Sequence, residues 1–124
     1  MAVQYEFRQE EHDLTVATLT GQLNLGNRLM EFEHHLKQRI EEGSRKIVLD
    51  LSGLTYIDSA GLGMVATCAG IMSKMGGKLV VVLASGKIAH MFQLTRLDQV
   101  INVYPDLRSA CTAISEPSAT ASGA

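Results

Sequence analysis

Ile47-Val48-Leu49-Asp50-Leu51-Ser52-Gly53-Leu54-Thr55-Tyr56-Ile57-Asp58-Ser59-Ala60-Gly61-Leu62-Gly63 decides the reading of this chain. Lys46 to Leu51 carry the short apolar run of a parallel strand buried on both faces. The residues that follow turn polar and read as a loop. Ser59 then opens a helix that holds Gly61 and Gly63 within one turn. The N–H groups of a helix's first turn lack partners inside the helix, and the backbone dipole there favours negative charge. A hydroxyl at that position is exposed and suited to carrying a phosphate.

Upstream, Val3, Tyr5 and Phe7 alternate with Gln4, Glu6 and Arg8, the pattern of a half-buried strand. Glu10 to Asp13 read as a turn. Leu14 to Thr20 are rich in Val, Leu and Thr, which predicts a second strand ended by Gly21 and a hairpin with the first. Leu29, Phe32, Leu36 and Ile40 recur at helical spacing, with Asn27 as the expected N-cap and Gly43 as the stop.

Downstream, the helix from Ser59 runs to about Met75. Its apolar residues cover more than one face, so it is expected to lie buried against a sheet or a partner. Gly76-Gly77 breaks it. Lys78 to Ala84 read as a central strand, Ile88 to Leu94 as a short helix, Val100 to Tyr104 as a last strand and Asp106 to Ile114 as a last helix. Strand and helix alternate after the hairpin. The class is therefore α/β, one domain over residues 1–115, with a mixed, mainly parallel sheet, an N-terminal β-hairpin and about four helices. Residues 116–124 are small and polar with no apolar anchor, and are expected to form a flexible tail.

Composition narrows the function. The 124 residues suffice for one core, and the formal net charge is -2. A chain built to neutralise phosphates would be basic, so direct nucleic-acid binding is not expected. No apolar run approaches the roughly 20 residues of a membrane span. Met1 to Glu6 lack the basic stretch and apolar core of a secretory signal. Cys68 and Cys111 fit no metal or redox spacing and read as buried reduced thiols at apolar helix positions, consistent with a cytoplasmic protein.

Enzymatic readings of the central stretch fail on their own terms. Gly61-Leu62-Gly63-Met64-Val65-Ala66 matches G-x-G-x-x-A, but Gly61 lies some ten residues beyond Val48-Leu49. No acid stands in Lys78 to Ser85 to hold a ribose. A nucleophile elbow would need glycine where Ile57 stands, and His90 is the one histidine downstream. His34 and His35 are adjacent on a helix, so they do not face one ion together. No catalytic residue, metal or cofactor is expected. Asp50 is placed to tie down loop backbone and Asp58 to cap the helix. Gly61 and Gly63 each cost a helix roughly 1 kcal/mol relative to alanine. Either the helix end packs tightly on its own sheet, or a flat small-residue surface serves a partner.

Val48 to Leu54 followed by Ile57-Asp58-Ser59-Ala60-Gly61-Leu62-Gly63 closely resembles the signature of STAS domains, the family of sulfate-transporter domains and anti-sigma factor antagonists. Weaker echoes are Gly21-Gln22-Leu23-Asn24, Gly76-Gly77-Lys78-Leu79 and Leu94-Thr95-Arg96-Leu97-Asp98. The likeness covers about Val3 to Ile114 and implies the same α/β order. It further implies an antagonist that binds an anti-sigma factor serine kinase and releases its sigma factor. Phosphorylation of Ser59 would break the complex, and a PP2C-type phosphatase would restore it. Asp58, Ala60, Gly61, Leu62 and Gly63 would belong to the docking surface, with Asn24 where the family commonly has an acid that helps engage the kinase. Arg96 stands where a glycine is frequent. The alternative within the same family is a scaffold or transport-associated domain without a phosphoswitch.

Overall fold

The computed structural model describes residues 2–11 and 13–115, so the expected tail at 116–124 lies outside the described residues. Five strands form one sheet in the order β1 (Gln4–Glu11), β2 (Leu14–Leu23), β3 (Lys46–Ile57), β4 (Lys78–Val82) and β5 (Val103–Tyr104). β1 and β2 are antiparallel, and every later pairing is parallel. The helices are α1 (Asn27–Glu41), α2 (Ser59–Lys74), α3 (Lys87–Leu94) and α4 (Leu107–Ser115). This is the expected α/β class, hairpin and helix count.

Alternation along the central strands builds the two layers. Ile47, Leu49 and Leu51 of β3, with Leu79 and Val81 of β4, join a large core with Leu29, Phe32, Leu36 and Ile40 of α1, Met64, Val65, Cys68 and Met72 of α2, and Phe92 of α3. Val48, Val80 and Val82 point the other way and meet Ala110 and Ile114 of α4. The apolar runs read from the sequence are apolar because both faces of β3 and β4 are covered. Tyr5 and Phe7 close the β1 edge by packing on Phe32, with Phe7 and Phe32 stacked 5.6 Å apart.

The polar stretch after Leu51 is strand and not loop. β3 continues to Ile57 and pairs with β2 as far as Leu23↔Ile57, so β2 likewise runs through Gly21 instead of ending there. Two register shifts explain the misreading. Thr18 to Thr20 faces Asp50 to Gly53, and Gly21 to Gln22 faces Leu54 to Tyr56, so β3 carries one additional residue at each place. The buried residues Leu51, Leu54 and Ile57 therefore recur every three positions instead of every two. Asp50 Oδ1 accepts from the Ser52 N–H (3.1 Å) and hydroxyl (2.6 Å), which holds the first bulge. At Gly53 a Cβ would lie 2.8 Å from Thr20 Cγ2 and 3.0 Å from the Leu19 carbonyl oxygen, so any side chain there would force Thr20 to shift.

Several boundaries differ from expectation. Glu10 and Glu11, read as turn, belong to β1, whose register shifts between Gln9 and Glu11, and β4 ends at Val82 instead of Ala84. The cap of α1 is Gly26, not Asn27, because the Gly26 carbonyl already accepts the Met30 N–H at 3.2 Å. The last strand shrinks from Val100–Tyr104 to Val103–Tyr104, because Val100 and Ile101 donate to the Leu97 carbonyl and close a 3-10 turn. The last helix starts at Leu107, and Asp106 caps it by accepting from the Ser109 N–H at 2.8 Å.

Arg96 begins that 3-10 turn in the left-handed region, at φ 63° and ψ 21°. It is the one non-glycine residue with positive φ among the described residues. A side chain there costs about 1–2 kcal/mol relative to the right-handed region, and glycine escapes that cost at some expense in unfolded-state entropy. Arg96→Gly is therefore expected to stabilise the fold by about 0.5–1 kcal/mol, read as a higher urea midpoint with unchanged m-value. An unchanged or lower midpoint would show that the Arg96 side chain contributes more than its backbone costs.

Candidate functional site

Parallel pairing of Leu23 with Ile57 delivers two chain ends side by side at one edge of the molecule. Asn24 follows one and Asp58 the other. Asp58 is the N-cap of α2, and its Oδ1 accepts the Gly61 N–H at 2.9 Å. Its other oxygen, Oδ2, accepts the Leu25 N–H at 2.9 Å. The Asp58 N–H in turn donates to the Leu23 carbonyl at 3.2 Å. One residue thus ties the β2–α1 loop to the first turn of α2, and Asn24 sits between the two tied residues. These bonds, the one from Leu25 foremost, hold the Asp58 carboxyl below the ordinary carboxylate range against the opposing effect of burial.

Ser59 is the first residue of α2 and is exposed. The sequence expects the first-turn N–H groups to welcome a phosphate there. The Gly61 N–H is already taken by Asp58, so a group attached to Ser59 stands beside a carboxylate.

The two glycines, left open between packing and docking, divide between those readings. Gly61 is buried, and a Cβ on it would lie 2.5 Å from the Leu23 carbonyl oxygen and 2.7 Å from Ile57 Cγ1. It lets α2 lie on the ends of β2 and β3. Gly63 is exposed, with nothing within 4 Å of where its Cβ would stand. Leu62 is 7% exposed and belongs to the core, whereas Ala60 is half-buried at the rim. Sequence reasoning missed Leu25, which is 74% exposed, and Tyr56, which is 48% exposed on the last turn of β3 before Asp58. Leu25 stands two residues after Leu23 and four before Leu29, so its spacing continues both the strand and the helix pattern and gave no sign that it is held in water.

The remaining candidates do not gather here. Cys68, on the core face of α2, is buried, its thiol pushed up to about 11 chiefly by desolvation, whereas Cys111 on α4 is only half-buried, short of the burial expected of it. His35 meets the Tyr5 hydroxyl at 2.9 Å on the β1 side. Among the described residues no helix is long and apolar enough to cross a membrane.

Two predictions follow from this geometry. Gly61→Ala is expected to lower stability because the carbonyl beside it cannot retreat, whereas Gly63→Ala gains up to about 1 kcal/mol from helix propensity. Chemical denaturation of the free protein reads both, and equal shifts in one direction would refute the division.

The second concerns acid. A carboxyl whose folded pKa is depressed contributes stability fully above its unfolded value, about 3.9, and loses it as pH falls through the lower folded value. The Leu25 and Gly61 amide proton resonances are expected to titrate together with a midpoint below that value. A midpoint at or above it, or separate midpoints, would show that Asp58 does not hold both.

Comparison with known proteins identifies the family of the chain. The model of the STAS domain family matches residues 6–110. BtrV of Bordetella bronchiseptica, provisionally named an anti-sigma factor antagonist, is 29% identical over 100 residues, covering 81% of this chain and 85% of its own. The crystal structure of an anti-sigma factor antagonist from Mycobacterium paratuberculosis has a TM-score of 0.80 at 21% identity, covering 92% of this chain and 95% of that one. The Bacillus protein SpoIIAA in its phosphorylated form has a TM-score of 0.72 at 16% identity, covering 89% and 99%. At these identities the two structures share the fold with this chain. The chain belongs to the STAS domain family, and its relatives include proteins named as anti-sigma factor antagonists.

Proposed function

We propose that this protein is a cytoplasmic anti-sigma factor antagonist. It binds a kinase-type anti-sigma factor, releases the sigma factor held by it, and is switched off when that kinase phosphorylates Ser59. A PP2C-type phosphatase acting on the phosphoserine resets it. It acts as a binding module and a kinase substrate, without catalysis of its own. The observation that carries this reading is the exposed Ser59 hydroxyl on the first residue of α2, with open Gly63 one turn along the same helix. Asn24, Asp58, Ala60, Gly61, Leu62 and Gly63 shape the docking surface, the buried Gly61 and Leu62 by setting how α2 lies on the sheet.

The switch is electrostatic. A phosphate adds about −1.5 to −2 charges at neutral pH. In the free protein it stands in water beside Asp58. Against a docked partner it is desolvated next to a like charge, and an uncompensated buried charge costs several kcal/mol. At about 1.4 kcal/mol per tenfold, affinity should fall roughly a hundredfold or more. Titration calorimetry against the kinase-type partner tests this. Ser59→Ala is expected to bind like the wild type and accept no phosphate. Ser59→Asp binds poorly while folded, and phosphorylated protein binds most weakly. Equal affinity of phosphorylated and unphosphorylated protein would end the switch reading.

A further inference from the structure

We infer that Asp58 is a positioning residue, which contributes to partner binding by holding Leu25 beside Ser59 as an apolar anchor. The inference rests on the functional reading above and assigns roles within that surface. Both carboxylate oxygens of Asp58 are engaged inside the molecule, one on the Gly61 N–H and one on the Leu25 N–H, each at 2.9 Å. The backbone N–H groups of Ala60 and of Asp58 itself also act on the carboxylate, so few of its roughly four acceptor sites are left to a partner.

What it presents is the loop. Asn24, Leu25 and Gly26 connect β2 to α1, and Leu25 is 74% exposed. An unsupported loop with an exposed leucine would lose conformational entropy on docking, and a tied loop has already lost it. Leu23 and Asp58 are joined through the backbone at 3.2 Å, so the loop, Ser59 and open Gly63 move as one surface. Its occupant is the kinase-type anti-sigma factor, which is expected to offer an apolar pocket adjoining its phosphotransfer site. Burial of one leucine side chain there is worth about tenfold in affinity or more.

Asp58→Ser separates the two arms. Serine is a good N-cap and keeps a bond to the first turn of α2, but its short hydroxyl cannot also reach the Leu25 N–H. The variant is expected to retain its melting temperature within a few degrees and to exchange the Leu25 amide proton faster than wild type. Leu25→Ser leaves the loop tied and removes the anchor. The test is a double-mutant cycle, by titration calorimetry against the purified kinase-type anti-sigma factor of the same genome.

Each single variant should bind about tenfold more weakly, and the double variant no more than about threefold weaker than the worse single, because Asp58 acts through Leu25. Additive losses, about a hundredfold in the double, would mean that Asp58 touches the partner itself and would overturn the inference. Wild-type affinity in Leu25→Ser would overturn it as well, and that variant does not depend on the cap. Failure of wild-type protein to bind the partner at all would remove the functional reading and this inference with it, an outcome distinct from either of the others.

Discussion

The site depends on the Asp58 carboxylate, which bonds the backbone of both the β2–α1 loop and the first turn of α2. One oxygen starts α2 and the other ends the β2–α1 loop. A cap of this kind is worth about 1 kcal/mol to a helix. Its second bond, the foremost in holding the carboxyl ionised, also sets where Leu25 lies relative to Ser59. Everything upstream serves to bring Asp58 there: two bulges in β3 carry the strand past the end of β4 and deliver Ile57 opposite Leu23.

Tight packing beneath this clasp explains the small residues on α2. Gly61 leaves room for the Leu23 carbonyl, and Leu62 fills the core below. The outer face of the same turn stays bare at Gly63. A partner can therefore approach the backbone of α2 closely, and a charge placed on Ser59 would stand directly in its path. The free protein has little reason to rearrange around that charge, since the first-turn N–H of Gly61 already has its acceptor.

Much of this was legible in the residues. The two-faced burial of Val48, Leu49, Val80 and Val81 announced parallel central strands, and Asp58 followed by Ser59 announced the start of α2. Residues 52–56, with Leu54 alone among them buried, concealed the end of β3, because a bulge breaks the period-two pattern by which a strand is recognised. Val100 and Ile101 looked like strand for the opposite reason: β propensity there yields to hydrogen bonds onto the Leu97 carbonyl. The glycine pair could not be divided by sequence, since whether a Cβ meets a carbonyl or open water is a tertiary fact. Leu25 was passed over because an isolated exposed leucine is ordinary, and its meaning comes from the bond that holds its N–H.

The proposed partner docks on the surface made by Leu25, Ser59 and Gly63, with Asp58 holding that surface from behind. A crystal structure of the complex with the kinase-type anti-sigma factor tests it most directly. Leu25 is expected to be buried in an apolar pocket, Ser59 to face the nucleotide site of the kinase, and both Asp58 oxygens to remain on the Leu25 and Gly61 N–H groups. An interface elsewhere on the molecule, or an Asp58 carboxylate released from the loop to contact the partner, would contradict it.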